Sequence, residues 1–82
     1  MQICDLHGLH FEEGKAKIIE FLNSCMIRHE KMMQIIHGYH ANIFKNYIFS
    51  SEFLEDMEVE GIYIDHMDSS KNPGSTDITL DV

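Results

Sequence analysis

The sequence predicts a small α+β domain with the element order β-α-β-α-β-β. Three observations predict it. Two short apolar runs, Ile3–Leu6 and Met32–Ile36, each end in a His-Gly pair and each precede a helical pattern. Residues 11–28 between them carry an apolar stripe at helical spacing. The last third changes to an alternation of period two around a loop rich in turn residues.

Gln2–Leu6 reads as the first strand, apolar at Ile3, Cys4 and Leu6 and bounded by Gly8. On a strand Asp5 and His7 are two apart and share a face. Phe11–Arg28 is the clearest helix. Phe11, Ile18, Leu22, Cys25 and Met26 fall on one side, widened by Ile19 and Phe21. Glu12 and Glu13 in the first turn, and Arg28 and His29 at the end, suit the helix dipole. Gly14 reads as a mild flaw, costing about 0.5–1 kcal/mol against Ala. Met32–His37 suits a strand buried on both faces, as in a parallel sheet. Asn42 is placed to cap a second helix from Ile43 to Ser51, with Ile43, Phe44, Tyr47 and Ile48 as its buried stripe. Glu52–Glu58 reads as an acidic connection. Ile62 and Ile64, then Ile78, Leu80 and Val82, alternate with polar residues in two strands, each with one wet face. A turn-rich loop over 68–75 joins them into a hairpin. Thr76–Val82 is expected at an exposed edge of the sheet, guarded by Asp77 and Asp81.

Eighty-two residues suit one domain, and a hydrophobic fraction of 44 % allows a packed core. No apolar run approaches the roughly 20 residues of a membrane span, and no basic-then-apolar leader is present, so a cytoplasmic location without a membrane partner is expected. Cys4 and Cys25 read as small buried hydrophobes, without the spacing of a zinc or redox motif. Six Lys+Arg stand against fourteen Asp+Glu, a formal −8 that protonation of all six histidines raises only to −2. A grip on nucleic acid through many phosphate contacts needs clustered cations, and this chain has none.

Four of the six histidines lie in two copies of one pattern, His7-Gly-Leu-His10 and His37-Gly-Tyr-His40. A strand-helix-strand unit with a right-handed crossover makes the first two strands parallel, so both turns end at one sheet edge, where open α/β sheets place ligands. Spacing alone thus brings distant histidines together.

Asp5-Leu-His-Gly8 opening a helix, Ile35-Ile-His-Gly38 closing the second strand, and a terminal strand over Gly74-Ser-Thr-Asp-Ile-Thr-Leu80 resemble the Smr domain, the small MutS-related domain. The resemblance covers nearly the whole chain. It implies a two-layer sandwich, a mixed four-stranded sheet packed by two helices, similar to the C-terminal domain of translation initiation factor three. It also implies nucleic-acid binding or endonuclease activity on RNA or DNA. The first motif matches fully. In the second, where the family has His-Gly-basic-Gly-x-Gly, Tyr39 replaces the basic residue, and His40 and Asn42 replace two glycines. Glycines there would let backbone N–H groups approach a phosphate; Asn42 tolerates the left-handed conformation, His40 can donate a hydrogen bond, and Tyr39 can stack on a base. Only four residues precede the first motif, so an arm that would add positive charge is expected to be missing.

On this reading His7 and His37 are the proton-transfer pair at a phosphodiester, and Asp5 orients an imidazole or holds a cation. Gly8, Gly38, Tyr39, His40, Asn42 and Lys45 contact nucleic acid. Magnesium or manganese is the divalent metal such catalysis would call on. A zinc site built from Asp5, His7, His10, His37 and His40 is the weaker metal reading. The plain reading is that the histidines cap the two turns. The alternative function is a catalytically inactive module of the same fold that binds a protein partner or a metal; the acidic charge and the altered second motif favour it. Nucleic-acid binding, if present, is expected to be weak.

Overall fold

A computed structural model describes residues 1–38 and 42–82. The elements are β1 (Gln2–Asp5), α1 (Phe11–Ile27), β2 (Met32–Ile36), α2 (Ile43–Ile48), α3 (Ser51–Val59), β3 (Ile64–Ser69) and β4 (Ser75–Leu80). They form a four-stranded sheet in the order β1-β2-β4-β3. β1 and β2 are parallel and the other pairs antiparallel, so the sheet is mixed.

The core lies between the helices and one face of this sheet. Cys4, Met33, Ile35, Ile78 and Leu80 are buried against Ile18, Leu22 and Cys25 of α1, Phe44 and Ile48 of α2, and Phe53 and Met57 of α3. The alternate strand positions are open: Ile3 is 57 % exposed and Met32 52 %. β2 was expected to be covered on both faces. It is covered on one, and its run of apolar residues hides an alternation in which only Met33 and Ile35 go inward.

Further expectations are corrected. The acidic stretch after residue 51 is a helix, α3, and the second predicted helix stops at Ile48. Ser50 explains both: its hydroxyl donates to the Tyr47 carbonyl (2.6 Å) and accepts from the Phe53 N–H (3.3 Å), closing one helix and capping the next. Phe53 and Met57, at i and i+4, are the buried stripe of α3. Ile43, assigned to a buried stripe, is 55 % exposed, while Phe44, Tyr47 and Ile48 are buried. β4, expected at an edge, is central; the edges are β1 and β3. Asp77 accordingly does not guard an edge but accepts from Gln34 Nε2 across β2 and β4 (3.2 Å).

Gly14 is no flaw. It is buried in α1 where a Cβ would overlap the Phe44 ring, so its missing side chain lets α2 pack down. Phe44 stacks on Phe11, and Tyr47 meets both Phe11 and Phe53 edge-on. The Tyr47 hydroxyl donates to Asp56 Oδ2 (2.7 Å), which also takes Lys15 Nζ (3.3 Å), so one carboxylate ties the three helices together. These two contacts hold the Asp56 carboxyl below its ordinary range, while burial and that same hydrogen bond raise the Tyr47 hydroxyl. Both cysteines are free and buried, and burial raises each thiol.

Candidate functional site

The two His-Gly turns follow directly from the parallel pairing. Asp5 pairs with Ile36, and the Leu6 N–H donates to the Ile36 carbonyl (2.8 Å), so both strands end together. In the first turn Asp5 Oδ1 accepts the His7 N–H (2.9 Å), and the Leu9 N–H closes back to the Leu6 carbonyl (3.1 Å). Gly8 and Gly38 both sit at φ +81°, in the left-handed region that side chains resist. The shared glycine therefore marks a shared left-handed backbone at that position.

The turns are nevertheless not equivalent. The strands pair with an offset of 31 residues (Gln2 with Met33), while the His-Gly pairs repeat at 30. A one-residue difference switches faces. His37 therefore continues the inward series Met33, Ile35 and is 7 % exposed. Leu6, next to it in register, fills the corresponding inward place and is buried, whereas His7 lies one step further on and is exposed.

Both ring nitrogens of His37 are engaged. Nδ1 lies 3.2 Å from the Gly38 carbonyl and Nε2 lies 2.8 Å from Thr76 Oγ1. A carbonyl only accepts, so Nδ1 carries the proton and the Thr76 hydroxyl donates to Nε2. Burial pushes the imidazole below its ordinary 6.5; the Gly38 carbonyl opposes this and Lys45 adds to it. The loop before β4 joins in. The Gly74 carbonyl accepts the N–H groups of both His37 (2.8 Å) and Gly38 (3.0 Å).

A cavity of about 590 Å³ opens between the turns. Asp5, His7, Gly8, His37 and Gly38 line it, so the structure brings these expected site residues together. Leu9, Ile43 and Phe44 add an apolar wall that the motifs alone did not single out. Periodicity assigned Ile43 and Phe44 to the core, and nothing in their spacing marks them as cavity lining. Lys45 lies on α2 close enough to act electrostatically on His37. Asn42 precedes α2 at φ +51° without capping it through its side chain; the left-handed backbone follows expectation, the cap does not. Tyr39 and His40 lie outside the described residues. His10 is the N-cap residue of α1, its N–H held by Glu13 Oε1 (3.2 Å).

Among the described residues no group of three or more His, Cys, Asp or Glu is placed to hold a metal, so His7, His10, His37 and Asp5 do not converge as a zinc site. The one carboxylate of the cavity, Asp5, suits a different donor set. Magnesium or manganese commonly takes one or two carboxylates and completes its shell with water and substrate phosphate. No helix among the described residues is long and apolar enough to cross a membrane.

Comparison with known proteins bears on the fold and the family. The ribosome rescue factor SmrB of Buchnera aphidicola subsp. Baizongia pistaciae (strain Bp) is 41 % identical over 46 residues, 56 % of this chain but 26 % of that protein. The chain thus spans only a part of that relative. The crystal structure of the Smr domain of Thermus thermophilus MutS2 superposes with a TM-score of 0.83 over 100 % of both chains at 16 % identity, which establishes the same fold. The Smr domain profile itself matches residues 4–80, and this chain belongs to the Smr domain family.

Proposed function

We propose that this chain binds an unpaired stretch of RNA across the cavity between its two His-Gly turns and cleaves the phosphodiester backbone there, in a cytoplasmic setting. The observation that carries the reading is the convergence of an exposed His7, held by Asp5 at a left-handed Gly8, with the Gly38 turn on one cavity wall. The name of the relative, a ribosome rescue factor, favours RNA over DNA. The apolar wall of Leu9, Ile43 and Phe44 suits a base or ribose.

The roles are unequal. His7 is the solvent-facing imidazole and serves as the general base. It takes the proton of the attacking oxygen as that oxygen bonds to phosphorus; the bond to the leaving oxygen breaks, and the leaving oxygen recovers a proton from the imidazolium or from water. Asp5 positions His7 through the backbone rather than through the ring. His37, neutral and tied at both nitrogens, holds the second turn in register. Lys45 offers a phosphate contact. Magnesium or manganese bound with Asp5 and substrate phosphate would neutralise phosphate charge.

The test is cleavage of labelled single-stranded RNA, with nicked and supercoiled DNA in parallel, under magnesium, manganese or EDTA. His7→Ala should lose cleavage by at least about 100-fold with an unchanged melting temperature, as expected for a general base. Equal cleavage by His7→Ala, or none by the parent, would overturn the catalytic reading. One observation favours a second reading, an inactive binding module. The His37 and Gly38 N–H groups are both spent on the Gly74 carbonyl and cannot also cradle a phosphate. Binding of the same RNA without cleavage in any condition would select it.

A further inference from the structure

A second, longer groove runs away from the site along the free side of β1. It is an open depression of about 730 Å³ between β1 and α1, and Asp5 lines both it and the cavity between the turns, so the two adjoin at that residue. α1 runs antiparallel to β1, which sets the polarity of the groove. Lys17 stands at the site end, its Nζ donating to the Asp5 carbonyl (2.8 Å). Arg28 stands at the far end with Gln2, its Nη1 bonded to Ser24 Oγ (2.8 Å) and its Nε 4.0 Å from Glu30. Eleven residues of helix separate the two cations, about 16 Å at 1.5 Å per residue. Between them lie Glu20 and the half-buried ring of Phe21.

We infer that this groove is an extended subsite for the strand that occupies the site, taking its phosphates at Lys17 and Arg28 and turning its bases toward Phe21 at the middle, where Glu20 repels phosphate. The inference rests on the proposed function and adds to it a direction: the strand leaves the cleavage site along β1 toward Arg28. Charge supports it, because a chain of net −8 has six Lys+Arg and sets two of them at the two ends of one groove that adjoins its site at Asp5. The competing occupant is a polypeptide strand adding to the edge of β1. Leu6 bonds toward β2, so in the parallel ladder Ile3 and Asp5 turn their backbone groups outward. The outward carbonyl of Asp5 is already taken by Lys17, which blunts that edge for strand pairing.

The test measures binding of this chain to fluorescein-labelled oligouridylates of 3 and 15 nucleotides by anisotropy. Arg28→Glu should weaken the 15-mer about tenfold at 0.1 M salt and leave the 3-mer unchanged, since only the longer strand reaches that end. Lys17→Glu/Arg28→Glu should also flatten the slope of log affinity against log salt by about 1.4 for two lost phosphate contacts. Lys17→Gln/Arg28→Gln should give the same sign with a smaller change, and circular dichroism confirms that each variant is folded. A 15-mer bound equally well by parent and by Arg28→Glu, with the same salt slope, overturns the groove and leaves the site reading intact. Failure of the parent to bind either oligomer overturns both. Self-association or peptide binding abolished by Ile3→Pro and untouched by the charge reversals would assign the groove to strand pairing instead.

Discussion

Thr76 holds His37 from the neighbouring strand: the Gly38 carbonyl puts the proton on Nδ1, and the Thr76 hydroxyl donates to the Nε2 left without one. Thr76→Val keeps the shape and removes the donor, leaving a buried Nε2 unsatisfied. It should cost about 1–3 kcal/mol in urea unfolding, and Thr76→Ser should recover most of that. Gly14 offers the opposite lesson. By helix propensity Gly14→Ala would gain about 0.5–1 kcal/mol. Because the added Cβ would meet the Phe44 ring, the expected result is a loss of about 1–3 kcal/mol, with Phe44 displaced from the cavity wall. His29 shows a residue in an unfavourable place. It ends α1 at φ +58°, with the Glu30 N–H on the Cys25 carbonyl (2.9 Å) and its own N–H on the Met26 carbonyl (3.1 Å). This is the position helices usually give to glycine. His29→Gly should stabilise by about 0.5–1 kcal/mol in the same assay, since it relieves the strain of a left-handed side chain.

At the scale of elements, what the sequence disclosed depended on whether local pattern or pairing decided the outcome. α1 was legible to within a residue, because its apolar stripe and its two glutamates act locally. The parallel β1–β2 pair and the meeting of the turns were legible from the crossover rule and two short motifs. α3 was not, because six positions of 51–60 are polar or acidic and only Phe53 and Met57 mark the buried side. The place of β4 in the middle of the sheet was not, because its alternation is the same in a central or an edge strand. The inequality of His7 and His37 escaped for the same reason: two identical dipeptides differ only in the register of the strands that carry them.

For the molecule as a whole, His37 links stability to pH. Its folded-state value lies below the ordinary 6.5 at which the unfolded chain titrates. The unfolded state therefore binds the proton more readily. The stabilisation from neutral His37 is complete above about pH 6.5 and is lost as pH falls through the folded-state value. The melting temperature should fall between pH 7 and pH 5, and His37→Gln should flatten that part of the curve. Asp56, held below its ordinary 3.8, acts in a separate and more acidic window, and its contribution is lost only as pH falls below that value.

The double acceptance by the Gly74 carbonyl has a consequence in the time order of synthesis. Residues 1–38 hold Asp5, His7 and both glycines of the turns, yet the second turn is pinned by a carbonyl 36 residues further on and by Thr76 beyond it. β4, which follows the other three strands of this sheet in the chain, is also the one that joins β2 to β3. A nascent chain therefore carries every residue proposed for the chemistry well before it has a site. The site assembles only when the strand that contributes none of them slides into the middle of the sheet.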